Sequence, residues 1–274
     1  MAEGPSLAVV IVSYNCREEL AHCLESVVGH TDPFPSTITV VDNASTDGTP
    51  AMVRERWPQV RVIEAGGNLG FARANNIGIR ATTGEYVLLL NPDTIVPPGA
   101  VPALVRGLAT HPEAAAAGPR IVDPAGYPEI SFGWAIGPIG ELRQKITGAL
   151  YARRVRAVVR WIDRWARTAG PREWVSGACM ALRRADLEAV GLLDERFFMY
   201  TEDVDLCVSL RRRGRAVIFV PQAEILHLRG ATARRSPAVE RRRRQSQVAY
   251  YEKHHPAWTP LLRLYLRLTG RPTG

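Results

Sequence analysis

Apolar and polar positions along the first 120 residues fall into a strand–helix rhythm. Leu7-Ala-Val-Val-Ile-Val-Ser13 is an apolar run with no polar side, which predicts a strand. A helix is expected from about Arg17, where Asn15 and Glu18 are spaced as a capping box. Further strands are expected at Thr37–Val41, Val60–Glu64 and Val87–Leu90, helices over 70–81 and 99–111, and a short strand near Ala115–Ala117. This alternation predicts an α/β fold, a parallel sheet with helices on both faces.

The run Tyr86-Val-Leu-Leu-Leu-Asn-Pro-Asp93-Thr organises the candidate chemistry. Pro92 cannot donate to a sheet ladder, so the strand ends there and leaves Asp93 at its carboxyl edge. Ligands of open α/β sheets bind outside those edges, and a carboxylate there can hold a hard divalent cation. The plainer reading is a turn, for which Asn-Pro and Asp are ordinary residues. A second strand-end acid, Asp42, is followed by the polar turn Ala44–Thr49 and could accept hydrogen bonds from a base imide or a ribose hydroxyl, or simply form an Asx-turn. Glycines 66, 67 and 70 let backbone approach a ligand or merely open a helix, whose N-terminus and Arg73 favour an anion such as a diphosphate. No G-x-G-x-x-G follows the first strand, which disfavours a dinucleotide-binding oxidoreductase.

In the second half, residues 123–140 read as a loop and residues 141–168 as an arginine-rich helical segment, either a solvated surface helix or one facing lipid or ligand. Trp174–Leu182 is strand-like, and Ser176-Gly177 marks a close approach. A helix is expected from an N-cap at Thr201 to Gly214. Its first turn carries Glu202, Asp203 and Asp205, favoured there by the helix dipole alone. Three acids so close also repel one another, which raises carboxylate pKa values as a general base needs. A final strand at Glu224–Leu228 carries His227, structural or a partner of Asp93 at a cation.

Composition narrows the class. The chain has 274 residues, 46% hydrophobic and 23% charged, enough for one large α/β domain with an appendage. The four cysteines lack zinc spacing and no signal peptide precedes the first strand, so a reducing cytosol is expected. No apolar run reaches the roughly 20 residues of a membrane span. Residues 211–274 carry 15 Lys and Arg against 3 Asp and Glu, a net of +12; the first 210 carry 20 against 24, a net of −4, giving the chain its +8. Basic tails meet nucleic acid, anionic lipid or phosphorylated ligands. Here Trp258, Leu261, Leu262, Tyr265 and Leu266 fall on one helical face, which would dock on an anionic membrane surface, pack on the enzyme body or pair with a second subunit.

Taken in order, Ser13-Tyr-Asn15, Val41-Asp-Asn-Ala-Ser-Thr-Asp-Gly48, Asn68-Leu-Gly-Phe71, Asn91-Pro-Asp-Thr94, Thr201-Glu-Asp-Val-Asp-Leu206 and His227-Leu-Arg-Gly-Ala-Thr232 resemble the inverting nucleotide-sugar glycosyltransferases of family 2. The resemblance spans residues 7–232. It implies the GT-A fold, a Rossmann-like mostly parallel sheet, with a nucleotide-sugar half at 1–120, an acceptor and catalytic half at 121–232, and a basic helical tail at 233–274. It implies that Asp42 reads the nucleobase within a donor site of Ser13, Asn15, Asn43, Asn68, Gly70, Arg73, Asn91 and Pro92. It further implies that Asp93 and His227 bind a divalent metal, Mg²⁺ or Mn²⁺, that Asp203 is the base, and that Trp174, Ser176, Gly177 and Glu202 meet the acceptor. Asn-Pro-Asp departs from the usual D-x-D by lacking its first acid, which leaves more of the metal to His227. The stretch Phe197–Cys207 and the late Lys253-His-His resemble the rhamnosyltransferase-like branch, pointing to dTDP-rhamnose, or else a UDP-sugar, and to a glycan or lipid-linked acceptor. Such an enzyme is cytoplasmic, on its own or peripheral on the inner face of the membrane, with a homodimer left open. Two rivals remain. A sugar-nucleotidyltransferase wants a Gly-rich basic turn where Ser-Tyr-Asn stands, and a nucleic-acid-binding protein leaves the strand-end acids repelling phosphate; nucleic acid is not the expected partner.

Overall fold

A computed structural model of the chain describes residues 6–134, 136–229 and 237–270. The first half runs β1 (Leu7–Ser13), α1 (Arg17–Val27), β2 (Ser36–Asp42), α2 (Thr49–Arg56), β3 (Arg61–Glu64), α3 (Phe71–Arg80), β4 (Tyr86–Leu90), β5 (Thr94–Ile95), α4 (Ala100–Thr110) and β6 (Ala114–Val122). The second half runs β7 (Phe132–Gly133), α5 (Pro138–Ala152), α6 (Arg156–Trp165), β8 (Gly170–Pro171), β9 (Trp174–Val175), β10 (Cys179–Arg183), α7 (Arg184–Ala189), α8 (Glu202–Arg212), β11 (Ala216–His227), α9 (Pro237–His254) and α10 (Thr259–Leu268).

The main sheet has the order β3-β2-β1-β4-β10-β6-β11-β5, with β8 attached to β11; β7 and β9 pair separately. Pairs β2–β3, β1–β2, β1–β4 and β6–β11 are parallel, whereas β10 lies antiparallel between β4 and β6. The sheet is therefore mixed but mostly parallel, within the expected α/β class. Because side chains alternate along a strand, the apolar runs feed two cores. Leu7, Val9, Ile11, Leu88 and Leu90 pack with Leu20 and Leu24 of α1 and Leu104 of α4. Val10, Val12, Val87 and Leu89 pack with Ala72 and Ala74 of α3 and Leu206 and Leu210 of α8. All four cysteines are free and buried, and burial pushes the thiols of Cys16, Cys23 and Cys207 up to about 12.

Several elements differ from the sequence expectation. Asn15 does not cap α1: its carbonyl oxygen accepts the Thr46 N–H at 2.8 Å, and Cys16 takes the N-cap position. Thr201 also lacks a capping side-chain bond, because it adopts a left-handed φ of 75° directly after Tyr200 at 69°. The Ala44–Thr49 turn runs on into α2, which no strong apolar stripe announces. The arginine-rich segment is two helices, broken where Arg154 turns left-handed at φ 56°. Trp174–Leu182 splits into β9 and β10, crossing from ribbon to sheet at Ser176-Gly177-Ala178. β11 begins at Ala216, well before Glu224, with an irregular register between Val220 and Glu224 that interrupts its alternation. The tail stripe is divided: Leu262 and Leu266 are buried, while Trp258, Leu261 and Tyr265 are exposed. Gly230–Thr232 of the His227 stretch and the start of the tail near Arg234 lie outside the described residues. Among the described residues, no helix is long and apolar enough to cross a membrane.

Helix α3 sits so close to β1 that a Cβ on Gly78 would stand 2.4 Å from Val10 Cγ1 and 3.0 Å from Val41 Cγ2. Gly78→Ala is expected to cost about 1–3 kcal/mol through overpacking. Gly148 in α5 has open space around it, so Gly148→Ala is expected to be neutral or to stabilise by up to about 1 kcal/mol. Urea unfolding midpoints of the two variants check both.

Candidate active site

Parallel pairing of β1, β2 and β4 brings Ser13, Asp42 and Asn91 to one sheet edge. The buried Asp42 accepts the Ser13 hydroxyl at 3.1 Å and the Ser45 N–H at 2.8 Å, so its carboxylate braces the polar turn by a bond three residues on, not the two of an Asx-turn. Asn15, through Thr46 and through its own N–H to Ser45 Oγ at 2.9 Å, ties the β1 turn to the same loop. Asn43 pins the glycine loop: its Nδ2 donates to the Gly70 carbonyl at 3.2 Å, and its Oδ1 accepts the Leu69 N–H at 3.2 Å. Asn68 Oδ1 accepts the Gly70 N–H at 3.2 Å. Arg73 does not join this group; exposed, it faces Glu195 at 3.7 Å.

Past Pro92, short β5 pairs with the end of β11, placing His227 opposite Thr94. His227 Nε2 stands 3.1 Å from Asp93 Oδ1, and Nδ1 stands 3.2 Å from Glu129 Oε2. Arg229 Nε donates to Glu129 Oε1 at 2.6 Å. Burial works against a charged His227, but hydrogen bonds and the charges of Asp93 and Glu129 outweigh it and raise its pKa to about 9. Burial likewise opposes ionised Glu129, yet His227 and Arg229 hold its carboxyl below the usual value. Sequence reasoning missed Glu129; it lies in the stretch read as loop and carries no motif.

The pair fits a divalent cation. An Nδ1–H donated to Glu129 leaves the Nε2 lone pair facing Asp93, the orientation of a metal-ligating histidine with its carboxylate support. A separation of 3.1 Å also matches adjacent ligands about 2.1 Å from an octahedral ion, which lie roughly 3 Å apart. Among the described residues, no three His, Cys, Asp or Glu form a complete cage; a cation held by this pair would take its further ligands from bound substrate or water.

The acids of α8 meet this edge through the β9–β10 crossing. Asn91 N–H donates to the Ala178 carbonyl at 2.8 Å, and the adjacent Gly177 N–H donates to Asp203 Oδ2 at 2.9 Å. Asp203 Oδ1 accepts the Val204 N–H at 2.8 Å. Burial raises the Asp203 pKa against the pull of these N–H groups. Glu202 is buried with Oε2 unpartnered among the described residues, and burial, then the charge of Asp203, lifts its pKa well above the ordinary value. Asp205 is engaged elsewhere: it accepts from Lys253 Nζ at 2.8 Å and stands 2.6 Å from His254 Nε2. The Lys253-His-His stretch of the tail thus holds one of the three acids. The loop before α8 rests on the start of α3, since the Phe198 carbonyl accepts the Phe71 N–H at 2.6 Å. Ser176 Oγ accepts the Ala178 N–H at 3.2 Å within the crossing, while Trp174 is buried and donates Nε1–H to the Trp134 carbonyl at 3.0 Å, forming wall rather than cleft surface.

The sequence model described as "Glycosyl transferase family 2" matches residues 8–191. The chain is 33% identical over 275 residues to the N-acetylglucosaminyl-diphospho-decaprenol L-rhamnosyltransferase of Mycobacterium tuberculosis, covering 95% of this chain and 89% of that one. It is 27% identical to the O-antigen biosynthesis protein RfbC of Myxococcus xanthus, over 99% of this chain but 21% of that protein. A mannosyltransferase from Pyrobaculum calidifontis, solved with GDP-Man and Mn²⁺, superposes with a TM-score of 0.63 at 23% identity, covering 94% of this chain and 68% of that one. GalNAc-T7, solved with UDP, GalNAc and Mn²⁺, gives 0.62 at 18% identity over 89% of this chain and 48% of its own. The fold is thus that of GT-A glycosyltransferases.

With a chelator present, the stability that His227 contributes is fully present below its unfolded value of 6.5 and is lost as the pH rises through about 9. Thermal unfolding across that window should therefore fall on the alkaline side in the parent chain. His227→Gln is expected to flatten that slope; an identical slope in the variant would show that the alkaline loss arises elsewhere.

Proposed function

The chain belongs to glycosyl transferase family 2, and from that premise we propose that it transfers L-rhamnose from dTDP-rhamnose to a hydroxyl of a lipid-linked glycan precursor, inverting the anomeric centre. A UDP-sugar is the alternative donor. The reading draws on the similarity to the mycobacterial rhamnosyltransferase, whose name specifies a diphospho-decaprenol acceptor, and on the motifs at Phe197–Cys207 and Lys253-His-His. The observation that carries it is the Asp203 carboxylate, half-buried, raised in pKa and held by the Gly177 N–H beside the strand end that presents Asp93.

In this reading residues 1–120 supply the donor side, 121–232 the acceptor side and 233–274 the tail. Asp42 reads the nucleobase, with Ser13, Asn15 and Asn43 fixing the loops around it. Asn68, Gly70, Asn91 and Pro92 shape the diphosphate end, and Arg73 contributes by exchanging Glu195 for the donor. Asp93 and His227 would hold Mg²⁺ or Mn²⁺, whose charge offsets that developing on the leaving diphosphate. Asp203 accepts the proton of the acceptor hydroxyl while that oxygen attacks the anomeric carbon from the face opposite the diphosphate. One C–O bond forms as the bond to the diphosphate breaks, so the centre inverts once. Glu202, whose burial and the charge of Asp203 push its pKa well above the ordinary value, is biased toward the neutral form in which it can donate a hydrogen bond to the acceptor. Ser176 and Gly177 bring backbone close to that acceptor, and Trp174 supports them from behind. We place the enzyme on the cytoplasmic side, peripheral to the membrane.

A thermal-shift panel of dTDP-, UDP- and GDP-sugars, with and without Mn²⁺ or Mg²⁺, tests the donor. dTDP-rhamnose with metal at a hundred times its Kd should add about 2.7 kcal/mol, and preferential stabilisation by another nucleotide would overturn the assignment. Asp203→Asn should keep that donor shift and lose about 10²–10⁴-fold in turnover. Turnover near that of the parent would move the base to another residue.

A further inference from the structure

Among the described residues, eight of the thirteen exposed large apolar side chains lie on α5 and on α10 with the turn before it. Single exposed apolar residues are ordinary, but a contiguous group marks an interaction surface. On α5, Ile139, Leu142 and Ile146 share one stripe at i, i+3 and i+7, each more than half exposed, and no residue of that helix is buried. Helix α10 differs: Leu262 and Leu266 anchor it to the body, while Leu261, Tyr265 and Leu268 stay outside. Lys145 of α5 lies 5.4 Å from the centre of the Tyr265 ring, which joins the two helices into one face.

The rim of this face is cationic. Arg143 and Lys145 flank the α5 stripe, and Arg263 and Arg267 belong to α10, four cations against two nearby acids: Arg263 pairs with Glu252 at 2.5 Å and Lys145 stands 3.9 Å from Glu141. The one acid of α5, Glu141, accepts from Gln247 and the Tyr251 hydroxyl of α9 while keeping a looser contact with Lys145. We propose that this α5–α10 face is the surface by which the enzyme docks on an anionic lipid bilayer, the apolar stripe entering the headgroup boundary and the rim cations meeting lipid phosphates. A second copy fits the face less well. A two-fold contact would set this predominantly cationic rim against an identical rim, whereas an anionic surface attracts its cations. The sequence stripe Trp258–Leu266 is thus only half available, and its missing half is supplied by α5. The face is also tied to catalysis: α9 leads into α10, and its Lys253 and His254 grip Asp205 of the base helix. The proposal rests on the reading that the acceptor is lipid-linked.

Co-sedimentation of the full chain with phosphatidylglycerol-rich vesicles and with phosphatidylcholine vesicles, both free of acceptor lipid and donor, tests it. The chain should pellet with the anionic vesicles and not the neutral ones. Leu142→Glu with Ile146→Glu should weaken partitioning by at least about tenfold at unchanged circular dichroism and Tm. The charge-matched pair Ala51→Glu and Gln59→Glu, at exposed positions on and beside α2, should leave it intact. No binding by the parent chain, equal binding by both double variants, or a dimer by light scattering that the α5 variant alone makes monomeric would each overturn it. Because the vesicles contain neither substrate, failure here leaves the transferase reading standing, and failure of the transferase assays leaves this result unchanged.

Discussion

Two adjacent hydrogen bonds at the β9–β10 crossing make one site out of two parts of the chain. The edge of a parallel sheet gathers Ser13, Asp42 and Asn91 by register alone, but the base candidate arrives from a helix far along the sequence. Antiparallel β10, inserted beside β4, closes that distance: Asn91 bonds to Ala178, and its neighbour Gly177 bonds to Asp203. The crossing tolerates little side chain. A Cβ on Gly177 would lie 3.3 Å from Asp203 Cβ and 3.4 Å from the Phe71 ring, so the glycine lets backbone reach the carboxylate directly.

The same helix turn poses an electrostatic problem, since three carboxylates in five residues repel each other. The fold treats each one differently. Asp205 pairs with Lys253 of the tail and lies against His254 Nε2. Glu202 is buried with Oε2 unpartnered among the described residues, and burial and the charge of Asp203 push its pKa well above the ordinary value. Asp203, with two N–H donors and no ion-paired cation among the described residues, keeps an elevated pKa, as a general base requires. Assigning Lys253 to Asp205 is what separates these roles, and it makes the tail part of the site's electrostatics rather than an appendage. Breaking such a buried pair from one side is costly because a charge is left uncompensated.

Much of this was legible because it follows from local pattern. Apolar runs with no polar side gave the strands that feed both cores, and Pro92 gave the strand end that positions Asp93. Pairings between distant segments were not legible. Nothing local announces that Glu129, in a glycine- and proline-rich stretch, reaches His227, nor that Lys253 reaches Asp205. Asn15 and Thr201 show the limit of capping signals: both sit in left-handed backbone rather than the extended conformation of a capping residue, and Asn15 spends its side chain on Thr46. The α5 stripe had the period of a buried face yet is exposed, since periodicity reports amphipathicity and not what covers it.

The departure of Asn91-Pro-Asp93 from two acids acquires a physical meaning at the β5–β11 edge. A neutral Asn91 leaves Asp93 as the one acid of that motif, and the other charge is supplied through a histidine backed by Glu129, itself shared with Arg229. His227 Nε2 can face Asp93 as a proton donor or as a ligand to the cation of the proposed site, and these are alternatives because both use one lone pair. With its pKa raised to about 9, His227 is protonated at neutral pH when no cation competes, so cation binding must expel a proton. Affinity for Mn²⁺ should therefore climb with pH up to about that value and then level off, and His227→Gln should remove the climb. Calorimetric titration in buffers of different ionisation enthalpy reads the proton directly; release of no proton would mean that His227 stays an ion-pair partner and the cation rests on Asp93 alone.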